Sequence, residues 1–329
     1  MNARAPLQVI DAGPVEQATF DGATVVLQKE RLLLDDRLAM VRKYVTPGPK
    51  VVLVHGFAQN RYTWHSSRRS ISAWLAAEGF DVYNLDLPGH GNSRIEGSGR
   101  FSDYVADLGR VADALGEPAF WVGHSLGGAA VYAGATLFPM RGVVGIGAVF
   151  RFAQTNRALN LLCQLSNRVQ GRKVIGALNV RTRLAGRLLG KLFGITDIAG
   201  YAFPISGWAP GSIEAEVLAE RLDRGFDWTS ANVWFEMAKW GTTGRFEWED
   251  AWTRTNVPVL VIAGDLDHLM VPEDARVACD LAGGPDRTFV LFDDYTTGHH
   301  WGHIDLITGK YAPRHTWALL RRWMADRVG

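Results

Sequence analysis

Six short, continuous apolar runs recur along this chain: KVVLVHGF, DVYNLDL, AFWVGHS, VVGIGAVF, VPVLVIAG and RTFVLFDD. None shows the polar-apolar alternation of a strand with one wet face. Each has the pattern of a strand covered on both sides, as in a parallel sheet. The segments between several of them, such as SRRSISAWLAAEG, FSDYVADLGRVADALG and LGGAAVYAGATLF, carry helical periodicity. Strand and helix in alternation imply an α/β fold with a doubly wound, mostly parallel sheet. Upstream, TVVLQKERLLL and RLAMVRKYV flank Asp35-Asp36, which predicts a two-stranded hairpin at the sheet edge after a leader containing Pro and Gly.

The alternation is interrupted once. Between Phe150 and Val257 about a hundred residues pass without a convincing core strand, too many for a loop inside a compact domain. Residues 151–255 are therefore expected to form a helical cap or lid, inserted into an α/β core built from 1–150 and 256–329. At 329 residues, 47% hydrophobic and 21% charged, the chain has material for a full core plus such an insertion. A formal net charge of +1 argues against nucleic acid as a partner of the whole chain. The two cysteines, Cys163 and Cys279, suit a reducing compartment and no metal spacing, and no apolar run approaches the ~20 residues of a membrane span. The N-terminal stretch has no secretory apolar region, so a soluble, cytoplasmic protein is expected.

The segment Gly123-His124-Ser125-Leu126-Gly127 fits G-x-S-x-G, and it lies where strand AFWV turns into helix LGGAAVYAGATLF. Such a turn lifts the serine hydroxyl above the sheet, and the helix start offers backbone N–H groups and a positive dipole end beside it. A chance pentapeptide would lack that context. On these residues the chain resembles the α/β-hydrolase superfamily over nearly its whole length outside the leader and cap. The resemblance implies Ser125 as nucleophile and an oxyanion hole from the N–H groups of Phe57, in the His55-Gly56-Phe57 loop after VVLV, and of Leu126. It also implies that His55 shapes its loop rather than reacting, and that LDLPGHGNS, with Pro88, Gly89, His90, Gly91 and Ser93, is structural.

Superfamily order runs nucleophile, acid, histidine. After VPVLVIAG come Asp265 and Asp267. The superfamily's usual G-x-x-D pattern, counted from Gly264, implies Asp267 as the acid and leaves Asp265 to cap the turn or the next helix. Pro272 lies one residue later than in the commonest form. Three histidines, His299, His300 and His303, follow RTFVLFDD. Gly302-His303-Ile304-Asp305-Leu306 resembles the segment around the catalytic histidine in acid-lipase-like and polyhydroxyalkanoate-synthase-like members, which points to His303. His299, also after a glycine and nearer the strand end, stays open as an alternative.

The resemblance thus implies a Ser-His-Asp hydrolase, esterase- or lipase-like, acting on carboxylic esters through an acyl-enzyme, with no metal or organic cofactor. A serine at the elbow speaks against the dehalogenase and epoxide hydrolase branches, which use a carboxylate there, and against the synthases, which use cysteine. Acyl transfer to another acceptor or thioester cleavage would use the same residues, and a non-catalytic binding protein on this fold is the reading from another class. Within the cap, Arg151 to Lys191 contain nine Arg or Lys and no Asp or Glu, a pattern that suits a membrane surface, an anionic ligand or a solvated helix face. Six of the 12 tryptophans, Trp208, Trp228, Trp234, Trp240, Trp248 and Trp252, fall in the cap, where they would pack it down or line a pocket for a small hydrophobic ester. Oligomeric state is not legible.

Overall fold

The computed structural model describes residues 6–94, 99–169, 179–181 and 207–328. Its centre is a nine-stranded sheet in the order β1-β2-β3-β5-β4-β6-β7-β10-β11. These strands are β1 (Leu7–Ala18), β2 (Thr24–Leu34), β3 (Leu38–Tyr44), β4 (Lys50–Val54), β5 (Asp81–Leu85), β6 (Phe120–His124), β7 (Gly142–Ile146), β10 (Val259–Gly264) and β11 (Arg287–Phe292). From β5 to β11 all neighbours are parallel, and β1, β2 and β3 add an antiparallel flank through β3–β5. The remaining pair, β8 (Asn179–Arg181) and β9 (Trp228–Ser230), is a separate two-stranded ribbon. Among the described residues between 151 and 255, none joins the nine-stranded sheet.

The apolar runs form these strands because successive side chains supply two different cores. Val52 and Val54 of β4 face one cluster while Val51 and Leu53 face the other, and β10 divides Val259, Val261 and Ala263 from Leu260 and Ile262 in the same way. The first cluster is completed by α2 (Phe101–Leu115) and α3 (Leu126–Ala135). The second is completed by α1 (Ile71–Ala77) and by the C-terminal Trp317, Leu320 and Trp323.

Two expectations about the N-terminal part need correction. The stretch read as a leader is the 12-residue strand β1, paired along β2 from Leu7↔Leu34 to Ala18↔Thr24. The β2–β3 hairpin is accordingly internal, and β1 is the outermost strand of that flank. Gly13 and Pro14 disguised it, yet an outermost strand tolerates Pro, since it has no further neighbour to receive an N–H.

The later chain adds α4 (Arg157–Val169), α5 (Ala215–Arg224), α6 (Ala231–Thr243), α7 (Pro272–Asp280) and α8 (Ala318–Ala325), with single helical turns between them. Of the basic stretch Arg151–Lys191, residues 170–178 and 182–191 lie outside the described residues. Its described helix, α4, packs on α6 and exposes Leu161, Leu162 and Leu165. Cys163 and Cys279 are separate, buried free thiols. Among the described residues no helix is long and apolar enough to cross a membrane.

Candidate active site

Ser125 stands at the corner where β6 becomes α3, with φ 55° and ψ −125°. That region strains any residue with a Cβ and persists only where the surroundings impose it. They do so here through three backbone bonds: Ser125 N–H donates to Ile146 O, while Ser125 O accepts from Gly128 and Val149 N–H. Gly127 permits the corner by close approach, since a Cβ there would meet His55 O at 2.3 Å and Val54 O at 2.4 Å. From 119 to 134 every residue is buried except Ser125. The turn therefore presents one side chain outward from an otherwise closed stretch.

The β10 end supplies the candidate acid. Asp267 Oδ1 accepts the N–H groups of Leu269 (3.0 Å) and Met270 (2.7 Å), which leaves Oδ2 to face His303 Nδ1 at 2.7 Å. Both side chains are buried, with exposures of 0% and 3%. Such a carboxylate keeps the proton on Nδ1 and leaves Nε2 as the basic nitrogen. Gly147, at φ 49° just beyond β7, lets the pair sit against the strand end. A Cβ there would stand 3.0 Å from both Asp267 Oδ2 and His303 Nδ1. Because Ser125 N–H is tied to Ile146, the residue before Gly147, the serine and the Asp–His pair flank the same strand end. The His124 ring also lies 4.4 Å from the His303 ring, and His124 Nε2 is 3.1 Å from His303 O. No hydrogen bond joins Ser125 Oγ to His303 among the described residues; contacts of this kind commonly tighten only around substrate.

The alternative residues are engaged elsewhere. Asp265, expected to cap a turn or helix, instead anchors the histidine loop: Oδ1 accepts Trp301 N–H at 2.8 Å, and Oδ2 lies 2.5 Å from His300 Nδ1. His299 stacks on Tyr311 with ring centroids 3.5 Å apart and planes 9° from parallel. His299 and His300 line a separate cleft of about 390 Å³ with Tyr311, Leu266 and residues 209–212. Among the described residues the single grouping of metal-type side chains is Asp265, Asp294 and His300, a largely solvent-facing set in which His300 is already bonded to Asp265.

The loop after β4 faces Ser125 closely, since a Cβ on Gly56 would lie 2.8 Å from Ser125 Cβ. Among the described residues, neither Phe57 N–H nor Leu126 N–H donates to a protein acceptor. Phe57 is the one residue between 51 and 60 that is not fully buried. His55 sits beneath the loop with Nδ1 3.0 Å from Gly56 O and Nε2 accepting Leu87 N–H at 2.9 Å. Burial, then the neighbouring His90, holds its pKa well below the ordinary imidazole value, so it is neutral with both nitrogens occupied. The LDLPGHGNS turn likewise serves structure. Asp86 is buried against Arg61, and Ser93 Oγ donates to Asp86 O while accepting Ala39 N–H.

Two buried residues bonded to the loops of the candidate site were not given roles by sequence reasoning. Asp305 is buried, accepts the N–H groups of Gly302 (3.0 Å) and Ala209 (3.2 Å), and so ties the His303 loop to the 207–212 segment. Desolvation pushes its carboxyl up to about 6. Its signal was present in Gly302-His303-Ile304-Asp305. The other, Arg221, has no sequence signal, because its side-chain partners Gln59 and Thr63 are 162 and 158 residues away. Of the tryptophans, Trp240 and Trp252 are core residues, the latter donating Nε1–H to Ala278 O. Trp234 instead stands over the site's edge, its ring 6.0 Å from Phe57 and 6.3 Å from Phe152.

Residues 51–306 match the sequence profile described as the alpha/beta hydrolase family. The chain is 41% identical over 109 residues to epoxide hydrolase B of Mycobacterium tuberculosis, a match covering 31% of this chain and 30% of that protein. It is 37% identical over 108 residues to the pimeloyl-[acyl-carrier protein] methyl ester esterase of Stenotrophomonas maltophilia, covering 32% and 39%. The chain thus spans about a third of the length of the curated relatives it matches. Among solved structures, a monoacylglycerol lipase from Paleococcus ferrophilus is similar in fold, with TM-score 0.64 and 19% identity over 88% of this chain and 99% of that one.

Proposed function

The chain belongs to the alpha/beta hydrolase family, and from that membership we propose that it cleaves carboxylic esters through an acyl-enzyme on Ser125. His303 Nε2 takes the hydroxyl proton as Oγ bonds to the ester carbonyl carbon, and the N–H groups of Phe57 and Leu126 hold the oxygen that becomes negative. Asp267 stabilises the resulting imidazolium, which returns its proton to the departing alcohol. Water then enters by the same steps and releases the acid.

The observation that carries this reading is the buried Asp267–His303 pair at the strand end that also holds the strained, partly exposed Ser125. An epoxide hydrolase is among the similar proteins. A serine favours the ester reading on chemical grounds. Opening an epoxide with a serine hydroxyl leaves an ether with no carbonyl for water to attack, whereas an acyl-serine is an ester that the same oxyanion hole can turn over. A fluorophosphonate probe tests the assignment: wild type is expected to label at Ser125 and Ser125→Ala not at all. Labelling that survives in Ser125→Ala, or none in wild type, rejects it.

Residues 151–255 are read as a cap over this site, and Trp234 beside Phe57 supports an apolar acyl or alcohol part in the substrate. At about 0.8 kcal/mol per buried methylene, p-nitrophenyl butyrate should exceed the acetate by roughly 15-fold in kcat/KM. An acetate preference across the chain-length series would exclude the apolar pocket while leaving the serine assignment intact.

A further inference from the structure

Arg221, in α5, is buried to 2% exposure. Its Nη2 donates to Gln59 Oε1 at 2.9 Å and to Thr63 Oγ1 at 3.0 Å, and Nη1 donates to Gly225 O at 3.4 Å. All three acceptors are neutral, Nε has no partner, and among the described residues no carboxylate pairs with the guanidinium. Burial lowers its pKa to about 9, which still leaves it charged at neutral pH. A buried charge without a counter-ion is costly, and an apolar side chain of similar length would often fill such a place at no loss of stability.

The place is significant. The end of α5 is fastened to the loop after β4 by a Gln59↔Phe226 antiparallel bridge, by Asp227 N–H to Ala58 O at 2.9 Å, and by Asn60 Nδ2 to Arg224 O at 2.9 Å. Ala58 in that loop has φ 54°, a backbone state that its bonded neighbours must impose. Gln59 Oε1, held by Arg221, and Ser125 Cβ lie 3.4 Å and 2.8 Å from the same point, the Cβ position of Gly56. One hydrogen-bonded path therefore runs from the cap side to the loop that carries Phe57 N–H and abuts the nucleophile.

Resting on the serine-hydrolase reading, we propose that Arg221 is a positioning residue of the reaction. It fixes residues 56–60 from the cap side and supplies an uncompensated positive charge close to where the substrate oxygen becomes negative. Stabilisation that grows as negative charge develops acts on kcat rather than on substrate binding.

The test compares wild type with Arg221→Met, Arg221→Gln and Arg221→Lys on p-nitrophenyl butyrate. Rates are expressed per site titrated with a fluorophosphonate, and melting curves are recorded alongside. Both uncharged variants are expected to lose about 10- to 100-fold in kcat with KM within about threefold. Arg221→Lys, which keeps the charge but not the fork, should lose clearly less. An uncharged variant that folds and keeps kcat within twofold of wild type overturns the proposal, as does a lysine variant as impaired as the uncharged ones. If neither uncharged variant folds while Arg221→Lys folds with wild-type kinetics, the charge serves the fold and the proposal is likewise overturned. Failure of the underlying hydrolase reading would look different, because wild type itself would neither label nor turn over.

Discussion

His303→Ala is expected to lower kcat by about 10⁴- to 10⁶-fold, while His299→Ala stays within about threefold of wild type. The physical reason is the pairing. Only an imidazole whose Nδ1–H is held by a buried carboxylate presents Nε2 as a base in a fixed orientation, and His303 has that partner in Asp267 at 2.7 Å. His299 spends its ring face on Tyr311. The same logic separates the aspartates: Asp267→Asn should cost about 10⁴-fold, since the amide stabilises the wrong tautomer. Asp265→Asn, which disturbs only Trp301 N–H and an exposed histidine, should cost less than about tenfold. Steady-state kinetics on a p-nitrophenyl ester, with each variant's folded fraction verified by near-ultraviolet circular dichroism, measures all four. A dead His299→Ala beside an active His303→Ala would reassign the base.

Acid should unfold this protein steeply. Burial, as the largest cause in each case, lowers the pKa of His55, His65, His90 and His124, with His65 brought to about 2. These imidazoles stay neutral when folded, but in the unfolded chain each binds a proton below about 6.5. The unfolded state then holds more protons, so stability is fully present above that pH and falls as pH drops toward the depressed folded values. Carboxyls raised by burial act in the opposite sense, because the folded state holds their protons: Asp305 below about 6, and Asp86, Asp274 and Glu236 in the same direction. Each proton taken up net on unfolding corresponds to about 1.4 kcal/mol per pH unit. Urea titrations at pH 7.5, 6.5 and 5.5 should show the midpoint falling steeply at constant slope. A midpoint independent of pH would mean that these imidazoles are not held neutral by the fold.

The fold class was legible because burial on both faces leaves a continuous apolar signature in each strand, and because the corner Gly123-His124-Ser125-Leu126-Gly127 needs a strand before it and a helix after it. Strand β1 was not legible. An outermost strand can carry Gly13 and Pro14 without losing its neighbour, so local composition there reads as loop. At the candidate site the residue types and their order were readable, since Ser125 and Asp267 each sit just beyond a strand end that the pattern had already located and His303 lies in the loop that follows β11. Asp265 was readable as a polar group and misjudged in its role, because its partners, His300 and Trp301, come from the loop after β11, 35 and 36 residues away.

By itself the sequence determined the alternation of strands and helices, the corner that lifts Ser125, and the order in which the candidate acid and histidine follow. Tertiary structure alone decided which carboxylate meets which imidazole, and that the guanidinium of Arg221 lies among neutral groups beside Gln59. Side-chain periodicity and turn chemistry act over a few residues and are written locally. Hydrogen-bond partners 36 or 162 residues apart are selected only when the packed sheet brings its strand ends and the α5 segment to one place.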